Sequence, residues 1–189
     1  MPSSRLTGEQ KGWHDRATRL KRALFNEKRR FGHVDDGSGK RLLVGPLYFL
    51  AGETGKALGF YRWYEEEFPG EAGDPVHCFF WALSLHKTGE IKKANAQLLE
   101  TMVQNVYLLP TLLGSPPASY DIWHCSNRAA PDYLAEVSEE LLPQLSHAER
   151  SWIMGQLEST LFQRVLEEYV STYHALKFEK DIERRRMVL

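Results

Sequence analysis

Gly52-Glu53-Thr54-Gly55-Lys56-Ala57 recurs as Gly89-Glu90-Ile91-Lys92-Lys93-Ala94, with glycine, glutamate, lysine and alanine repeated at an offset of 37 residues. An apolar segment precedes each copy, and a second apolar segment with helical spacing follows it. A glycine-containing turn between two such segments is typical of a helical hairpin. The stretch from Gly39 to Tyr107 is therefore predicted to form two hairpins in tandem, and the fold class to be all-α.

Small residues stand where the two helices of each hairpin would approach closely. In the first copy the relevant positions are Arg41, Val44, Gly45, Tyr48, Ala57, Tyr61 and Pro69, and in the second they are Cys78, Trp81, Ala82, Leu85, Ala94, Leu98 and Val106. On these positions the region 38–108 resembles the tetratricopeptide-repeat family, although the first, tryptophan-type position is lost in both copies and the closing proline in the second. The resemblance implies a right-handed array of antiparallel helical hairpins, an α-α superhelix that binds other proteins.

In that family the first helix of each hairpin lines a groove that holds an extended peptide. The resemblance places Leu42, Pro46, Phe49 and Leu50 there from the first hairpin, and Val76, Phe79, Leu83, His86 and Lys87 from the second. These residues are mostly apolar, which argues against a clamp for a charged carboxylate tail. An empty apolar groove would be an exposed hydrophobic patch, so either a partner peptide or a terminal helix of the same chain is expected to fill it.

The N-terminal segment is basic and is predicted to cap the array as a helix from Gly8 to about Arg30, followed by a loop to residue 37. Thr7-x-x-Gln10 is a capping-box pattern at its start. Residues 1–41 carry 11 Lys and Arg against five Asp and Glu, and the remaining residues carry 13 against 20. A basic helix docked on an acidic body explains this asymmetry. The alternative is nucleic-acid or polyanion binding by a basic patch of Arg16, Arg19, Arg22, Arg29, Arg30 and Arg41.

Beyond the repeats, residues 109–130 are rich in Pro and Gly and are predicted to be an irregular connector. A C-terminal hairpin is expected over 131–189, with a first helix over 131–145. Ser146-x-x-Glu149 then opens a single long helix that continues to about Arg184. The whole chain is expected to fold as a single domain over 1–189, with parts 8–37, 38–108, 109–130 and 131–189.

Pro46 does not fit the repeat pattern, because it falls inside the first helix of the first hairpin. A proline there removes one backbone hydrogen bond and clashes with the preceding turn. Either the helix kinks at Gly45-Pro46, which we favour, or it begins there.

Residue types that support catalysis or metal binding are present, but their spacing is unfavourable. His33, Asp35 and Asp36 lie in one turn, where turn chemistry explains them as well as a divalent metal does. His77-Cys78 and His124-Cys125 are adjacent pairs, and neighbouring helical residues point about 100° apart, so both rarely reach one zinc ion. We therefore expect no catalytic residue, metal or cofactor, and an enzyme of unrecognised type is the third functional hypothesis.

Composition indicates a globular protein with few cysteines, since only Cys78 and Cys125 occur and no apolar run is long enough to span a bilayer. The N-terminus lacks the apolar core of a secretory signal. We expect a cytoplasmic protein that binds another protein or peptide and no membrane; nucleic acid is the less favoured partner, and self-association is a further option.

Overall fold

The computed structural model describes residues 6–116, 118–137, 139–142 and 144–188, and over these residues the chain is all-helical without strands. It divides into two compact units, Met1–Gln97 and Leu98–Leu189, and the predicted single domain over 1–189 stays a prediction. The helices are α1 (Gly8–Phe31), α2 (Lys40–Leu50), α3 (Thr54–Glu67), α4 (Pro75–Lys87), α5 (Ile91–Gln104), α6 (Leu108–Leu112), α7 (Tyr133–Glu136), α8 (His147–Leu157), α9 (Thr160–Phe178) and α10 (Ile182–Val188).

Helix α1 begins and ends with the caps that its sequence predicts. The Thr7 hydroxyl accepts from the Gln10 N–H, and the Gln10 side chain accepts from the Thr7 N–H, so both halves of the capping box are present. Gly32 ends the helix in the left-handed conformation, with φ 79°. Ala17 and Leu24 are the buried residues of its apolar stripe, and α1 packs against α2.

The two Gly-Glu turns have the same backbone structure. Gly52 and Gly89 have φ of 78° and 82°, values that favour glycine. After each of them, the N–H of the following glutamate donates to a carbonyl five residues earlier. The equivalent bonds are Glu53 to Tyr48 at 2.9 Å and Glu90 to Leu85 at 3.0 Å, and the equivalent ion pairs are Lys56–Glu53 at 2.7 Å and Lys93–Glu90 at 2.8 Å. The sequence repeat is therefore a structural repeat of the turn.

Helices α2 and α3 are antiparallel and touch where Gly45 meets the Tyr61 ring. A Cβ added at Gly45 would lie only 2.6 Å from Cε1 and from the hydroxyl oxygen of Tyr61, so no larger residue fits. Gly45 and Tyr61 are equally far from Glu53 in the turn, as an antiparallel pair requires. The prediction that a small residue at position 45 permits close approach is consistent with this contact.

Helix α4 begins with an N-terminal cap formed by Asp74 and packs on both α2 and α3. The Asp74 carboxylate accepts from the N–H of Val76 at 3.0 Å and of His77 at 3.4 Å, and Pro75 occupies the first helical position, where its missing N–H costs nothing. Ten of its residues are buried, so α4 is the central helix of the first unit.

In the second unit the helix predicted over 131–145 is wrong. Among the described residues of this range, only Tyr133–Glu136 forms an α-helical turn, and Glu139–Leu141 forms a 3-10 turn. The backbone leaves the helix at Val137, with ψ 128°. Val137 is β-branched, which lowers its helix propensity, and the sequence has a proline at position 143, a residue type that disfavours a helix continuing through the range.

The long C-terminal helix predicted from residue 146 to about 184 is also wrong, because it is three helices, α8, α9 and α10. Its capping box is confirmed: the Ser146 hydroxyl accepts from the Glu149 N–H, and the Glu149 side chain accepts from the Ser146 N–H. Ser159 has an extended backbone, and its hydroxyl accepts from the Phe162 N–H, which starts α9 anew. Asp181 similarly accepts from two N–H groups of the first turn of α10.

The core of the second unit forms where residues on both sides of α6 lie against α9. Val106, Tyr107 and Ile122 are buried, and four residues of α9 pack against them: Leu166, Tyr169, Val170 and Tyr173. The Trp123 N–H donates to the Tyr173 carbonyl at 3.0 Å, and the Arg185 guanidinium lies over the Trp123 ring at 4.4 Å. The predicted connector is thus ordered against a helix. None of the helices in the described part of the chain has the length and hydropathy needed to cross a bilayer.

The Gly45–Tyr61 contact predicts a sharp difference between two glycine substitutions. Gly45→Ala forces the Tyr61 ring to move and is expected to lower the free energy of unfolding by about 1–3 kcal/mol. Gly55→Ala is the matched control, since no atom lies within 4 Å of its added Cβ. It is expected to stabilise by about 0.5–1 kcal/mol. Urea denaturation of both variants gives the comparison.

Adding Tyr61→Leu to Gly45→Ala should recover part of the loss, because Ala82 and Leu98 stand at the corresponding positions of the second repeat. Equal urea midpoints for the two single glycine variants would contradict the close contact.

Candidate functional site

The predicted groove residues fall into two groups, one in the core and one at helix ends. Five are buried: Leu42, Pro46, Val76, Phe79 and Leu83. Four are partly or fully exposed and form the last two residues of α2 and of α4: Phe49, Leu50, His86 and Lys87. Only the second group is available to a partner in this structure. The two pairs are 37 residues apart, so they occupy equivalent positions in the two hairpins.

At these helix ends a small apolar surface lies beside a positive charge. The Phe49 ring meets Phe80 edge-on at 5.4 Å between centroids, which fixes its orientation. The Lys87 ammonium lies 5.2 Å from the centroid of the same Phe49 ring. Leu50 is half-buried beside Phe49 in sequence. We name Phe49, Leu50, His86 and Lys87 the helix-end surface.

Arg41, which the sequence assigns to the basic patch, is instead held in an ion network at the start of α2. Its guanidinium binds Glu71 with two nitrogens, at 3.0 Å and 2.5 Å, and donates to the Asp36 carbonyl at 2.8 Å. The Arg41 N–H donates to the Asp36 carboxylate at 2.6 Å. The side chain of Asp36 is fully buried, so Arg41 neutralises a buried charge and cannot serve a ligand.

The hydrogen-bond donors around the two carboxyl groups of this network stabilise their ionised forms. The hydrogen bond from Arg41 holds the pKa of Glu71 below its usual range. Burial alone would raise the pKa of Asp36, but hydrogen bonds from the N–H groups of Arg41 and Lys40 outweigh burial and lower it. Asp36 therefore caps α2 as a carboxylate, and this gives its place in the turn a structural explanation that requires no metal.

The other groups considered as metal ligands are similarly engaged in separate contacts. His33 Nδ1 lies 3.1 Å from the Phe31 carbonyl, and the Asp35 N–H donates to Glu27 at 2.8 Å. Cys78 donates to the Ala72 carbonyl at 3.3 Å, and His124 Nε2 lies 3.0 Å from the Tyr107 hydroxyl. Within the described ranges no group of three or more His, Cys, Asp and Glu side chains converges on a metal position.

His77 is a buried histidine that links α4 to α2. Its side chain is 1% exposed, and Nδ1 lies 3.0 Å from the carbonyl oxygen of Leu42. Burial lowers the pKa of His77 to about 4, so the imidazole is neutral near pH 7 and Nδ1–H is the donor. The Tyr61 and Tyr64 rings lie 5.0 and 4.6 Å from the imidazole.

The acceptor of this hydrogen bond is the carbonyl that Pro46 leaves without a helical partner. In an α-helix the N–H of residue 46 would donate to the carbonyl of residue 42, and proline has no N–H. Helix α2 nevertheless runs without a break from Lys40 to Leu50, so the proposal that it begins at Pro46 is wrong. The His77 imidazole takes the place of the missing N–H.

The remaining members of the predicted basic patch lie on α1. Arg19, Arg22, Arg29 and Arg30 are exposed, whereas Arg16 is half-buried. The structure therefore separates Arg41 from the four exposed arginines, a division that charge counting along the sequence does not show.

The role of His77 as the donor to the Leu42 carbonyl was not predicted from the sequence. The available signal was Pro46, which predicts an unsatisfied carbonyl at Leu42 four residues before it. The donor lies 35 residues further along the chain and on another helix, so the sequence alone does not identify it.

No protein-family model, curated protein or solved structure matches this chain.

A double-mutant cycle tests whether His77 replaces the N–H missing at Pro46. His77→Phe keeps an aromatic ring but removes the donor, and it is expected to lower the free energy of unfolding by about 1–3 kcal/mol. In a Pro46→Ala background the restored N–H can pair with Leu42, so the same substitution should cost less. Urea denaturation of the four proteins measures the coupling. Pro75→Ala, which restores no helical hydrogen bond, is the control background. If His77→Phe lowers the free energy of unfolding equally in the Pro46→Ala and Pro75→Ala backgrounds, His77 does not replace the missing N–H.

His77 also predicts a loss of stability in mild acid. Its pKa is about 4 in the folded protein and about 6.5 when unfolded, so below pH 6.5 the unfolded chain binds the proton more readily. Stability is complete above about pH 6.5 and falls as the pH drops toward 4. Between pH 7.5 and pH 5 the expected loss from His77 is about 2 kcal/mol.

His77→Gln can still donate to Leu42 but does not titrate, so it should flatten this dependence. His33→Gln, a substitution of an exposed histidine, should leave it unchanged. A titration of the His77 ring by NMR with a midpoint near 6.5 would contradict the buried neutral imidazole even if a variant failed to fold.

Proposed function

We propose that this chain is a protein-binding module built of tetratricopeptide-like helical hairpins, with the helix-end surface as its binding site. Its array of α2 to α5 would form a right-handed α-α superhelix. The single observation that carries the proposal is the repetition of one turn at an offset of 37 residues, with equivalent backbone bonds and equivalent ion pairs. Stacked repeats of this kind create extended binding surfaces, and the ends of α2 and α4 occupy equivalent positions in the two hairpins.

The chemistry of the helix-end surface favours a partner segment with an apolar side chain beside a carboxylate. Phe49 and Leu50 offer apolar contact, and Phe80 holds the Phe49 ring in place. Lys87 lies over the same ring and would meet the partner's negative charge at short range. Leu42, Phe79 and Leu83 are buried, so the partner would lie across the helix ends rather than deep between the helices.

Cys78 and Cys125 form no disulfide in the described part of the chain, which favours a reducing compartment, and the cytoplasm is the location we propose for the module. No catalytic step is part of the proposal.

Selection of displayed random peptides on the purified protein tests the site. The expected result is enrichment of peptides that carry an apolar residue next to Asp or Glu, with binding lost on Phe49→Asp and weakened about tenfold on Lys87→Glu. Lys92→Glu is the charge-matched control on the exposed face of α5 and should bind normally. Isothermal calorimetry with a selected peptide gives the affinities.

Phe79→Glu separates the surface from the core, since it places a charge at a fully buried position and is expected to unfold the protein. Circular dichroism must show that Phe49→Asp is folded. Peptides that bind folded Phe49→Asp and Lys87→Glu as tightly as the unchanged protein would refute the site.

A further inference from the structure

Four arginines of α1 lie on one exposed face of the helix. With 100° per residue, Arg19, Arg22, Arg29 and Arg30 fall within a sector of about 100°, and the first and last are separated by about 16 Å along the axis. All four are exposed. They form a row of guanidinium groups on a straight, well-capped helix, which we name the arginine face.

The arginine face is not neutralised by its surroundings. Among the described residues, no carboxylate lies within ion-pair distance of these four arginines. Arg29 donates to the Asn26 side chain at 3.0 Å, and Arg30 lies over the Phe31 ring at 5.0 Å. Lys28, on the opposite side of the helix, is the α1 cation that pairs with Glu67. The positive charge of the face is therefore available to a ligand.

The side chains around the arginines limit the class of ligand. Exposed positions of the same sector hold Lys11, Gly12, Asp15 and Asn26, with Ala23 at its edge, and none of these is a large apolar residue. A protein partner generally needs a buried aromatic or aliphatic anchor, and insertion into a membrane surface needs an apolar face. These positions of the sector supply neither. The exposed Phe31 ring lies beside the sector at its C-terminal end, where the Arg30 guanidinium covers one face of it, so the row has no run of aromatic rings on which successive unpaired bases could stack.

Guanidinium groups match phosphate oxygens with two parallel hydrogen bonds, and the row has the length of several phosphate spacings of a nucleic-acid strand. We propose that the arginine face binds the phosphate backbone of duplex nucleic acid without reading its sequence. This activity is separate from the helix-end surface, and either can fail without the other.

Fluorescence anisotropy with a labelled duplex of about 20 base pairs tests the proposal in about 50 to 200 mM salt. Four phosphate contacts predict a slope of log K against log salt of about −3 to −4. The variant R19Q/R22Q/R29Q/R30Q should lose most of the slope and at least about tenfold in affinity at the low-salt end. Circular dichroism checks that this variant, altered only at exposed positions, is folded.

A charge-matched control removes four exposed cations elsewhere, R62Q/K92Q/K93Q/R164Q, and should bind the duplex like the unchanged protein. Equal loss in both variants would show that net charge alone drives binding and would overturn the proposal. So would absence of duplex binding at low salt, or arginine-dependent binding that is tighter to polyglutamate or to vesicles of anionic lipid than to the duplex.

Asp15 gives an independent arm, because it is the one carboxylate within the sector. Asp15→Asn removes repulsion of phosphate and is expected to tighten duplex binding about two- to fivefold at low salt. Glu100→Gln, which removes an exposed carboxylate from α5, should have no such effect. Unchanged or weaker binding of the Asp15 variant would argue against contact at this face.

Discussion

The hydrogen bond from His77 to the Leu42 carbonyl is the constraint on which the first unit depends. It joins the first helices of the two hairpins and satisfies a backbone group that Pro46 would otherwise leave buried and unpaired. Such a group costs about 1–3 kcal/mol, a large part of the stability of an ordinary domain. The imidazole donates from Nδ1 to this carbonyl, and it is the burial of the ring, not the hydrogen bond, that lowers the pKa and keeps the second proton off.

The aromatic residues around this bond are coupled to it through Tyr61. The ring of Tyr61 lies against Gly45 one residue before the proline, and its hydroxyl donates to the His77 carbonyl at 3.3 Å. Trp81 stacks on the other part of the same ring at 4.9 Å, nearly parallel. Gly45 leaves room for the Tyr61 ring, Pro46 leaves the Leu42 carbonyl without a helical donor, and His77 donates to that carbonyl. These residues are therefore parts of one arrangement. Their individual contributions to stability are expected not to be additive.

Local signals made the first unit largely predictable from sequence, since Thr7-x-x-Gln10, Asp74-Pro75 and the repeated Gly-Glu turns each act within a few residues. The C-terminal part was less predictable because apolar periodicity continues across helix ends. Ser159 and Asp181 are capping residues, but each stands inside a run whose spacing fits one uninterrupted helix. Burial at the candidate site was harder still to predict from the sequence. Phe49 and Phe79 have similar sequence surroundings, and only tertiary packing leaves Phe49 partly accessible and places Phe79 in the core.

The basic N-terminal segment shows why charge must be assigned by contact and not by count. Arg41 balances Asp36 and Glu71 at the start of α2, so removing it would leave a buried carboxylate rather than weaken a surface. Lys28 similarly forms an ion pair with Glu67. Arg19, Arg22, Arg29 and Arg30 have no acidic partner among the described residues, although the chain as a whole carries a formal charge of only −1. A nearly neutral protein can therefore present a locally strong positive field, because screening confines each charge to roughly 10 Å and the acidic excess lies elsewhere along the chain.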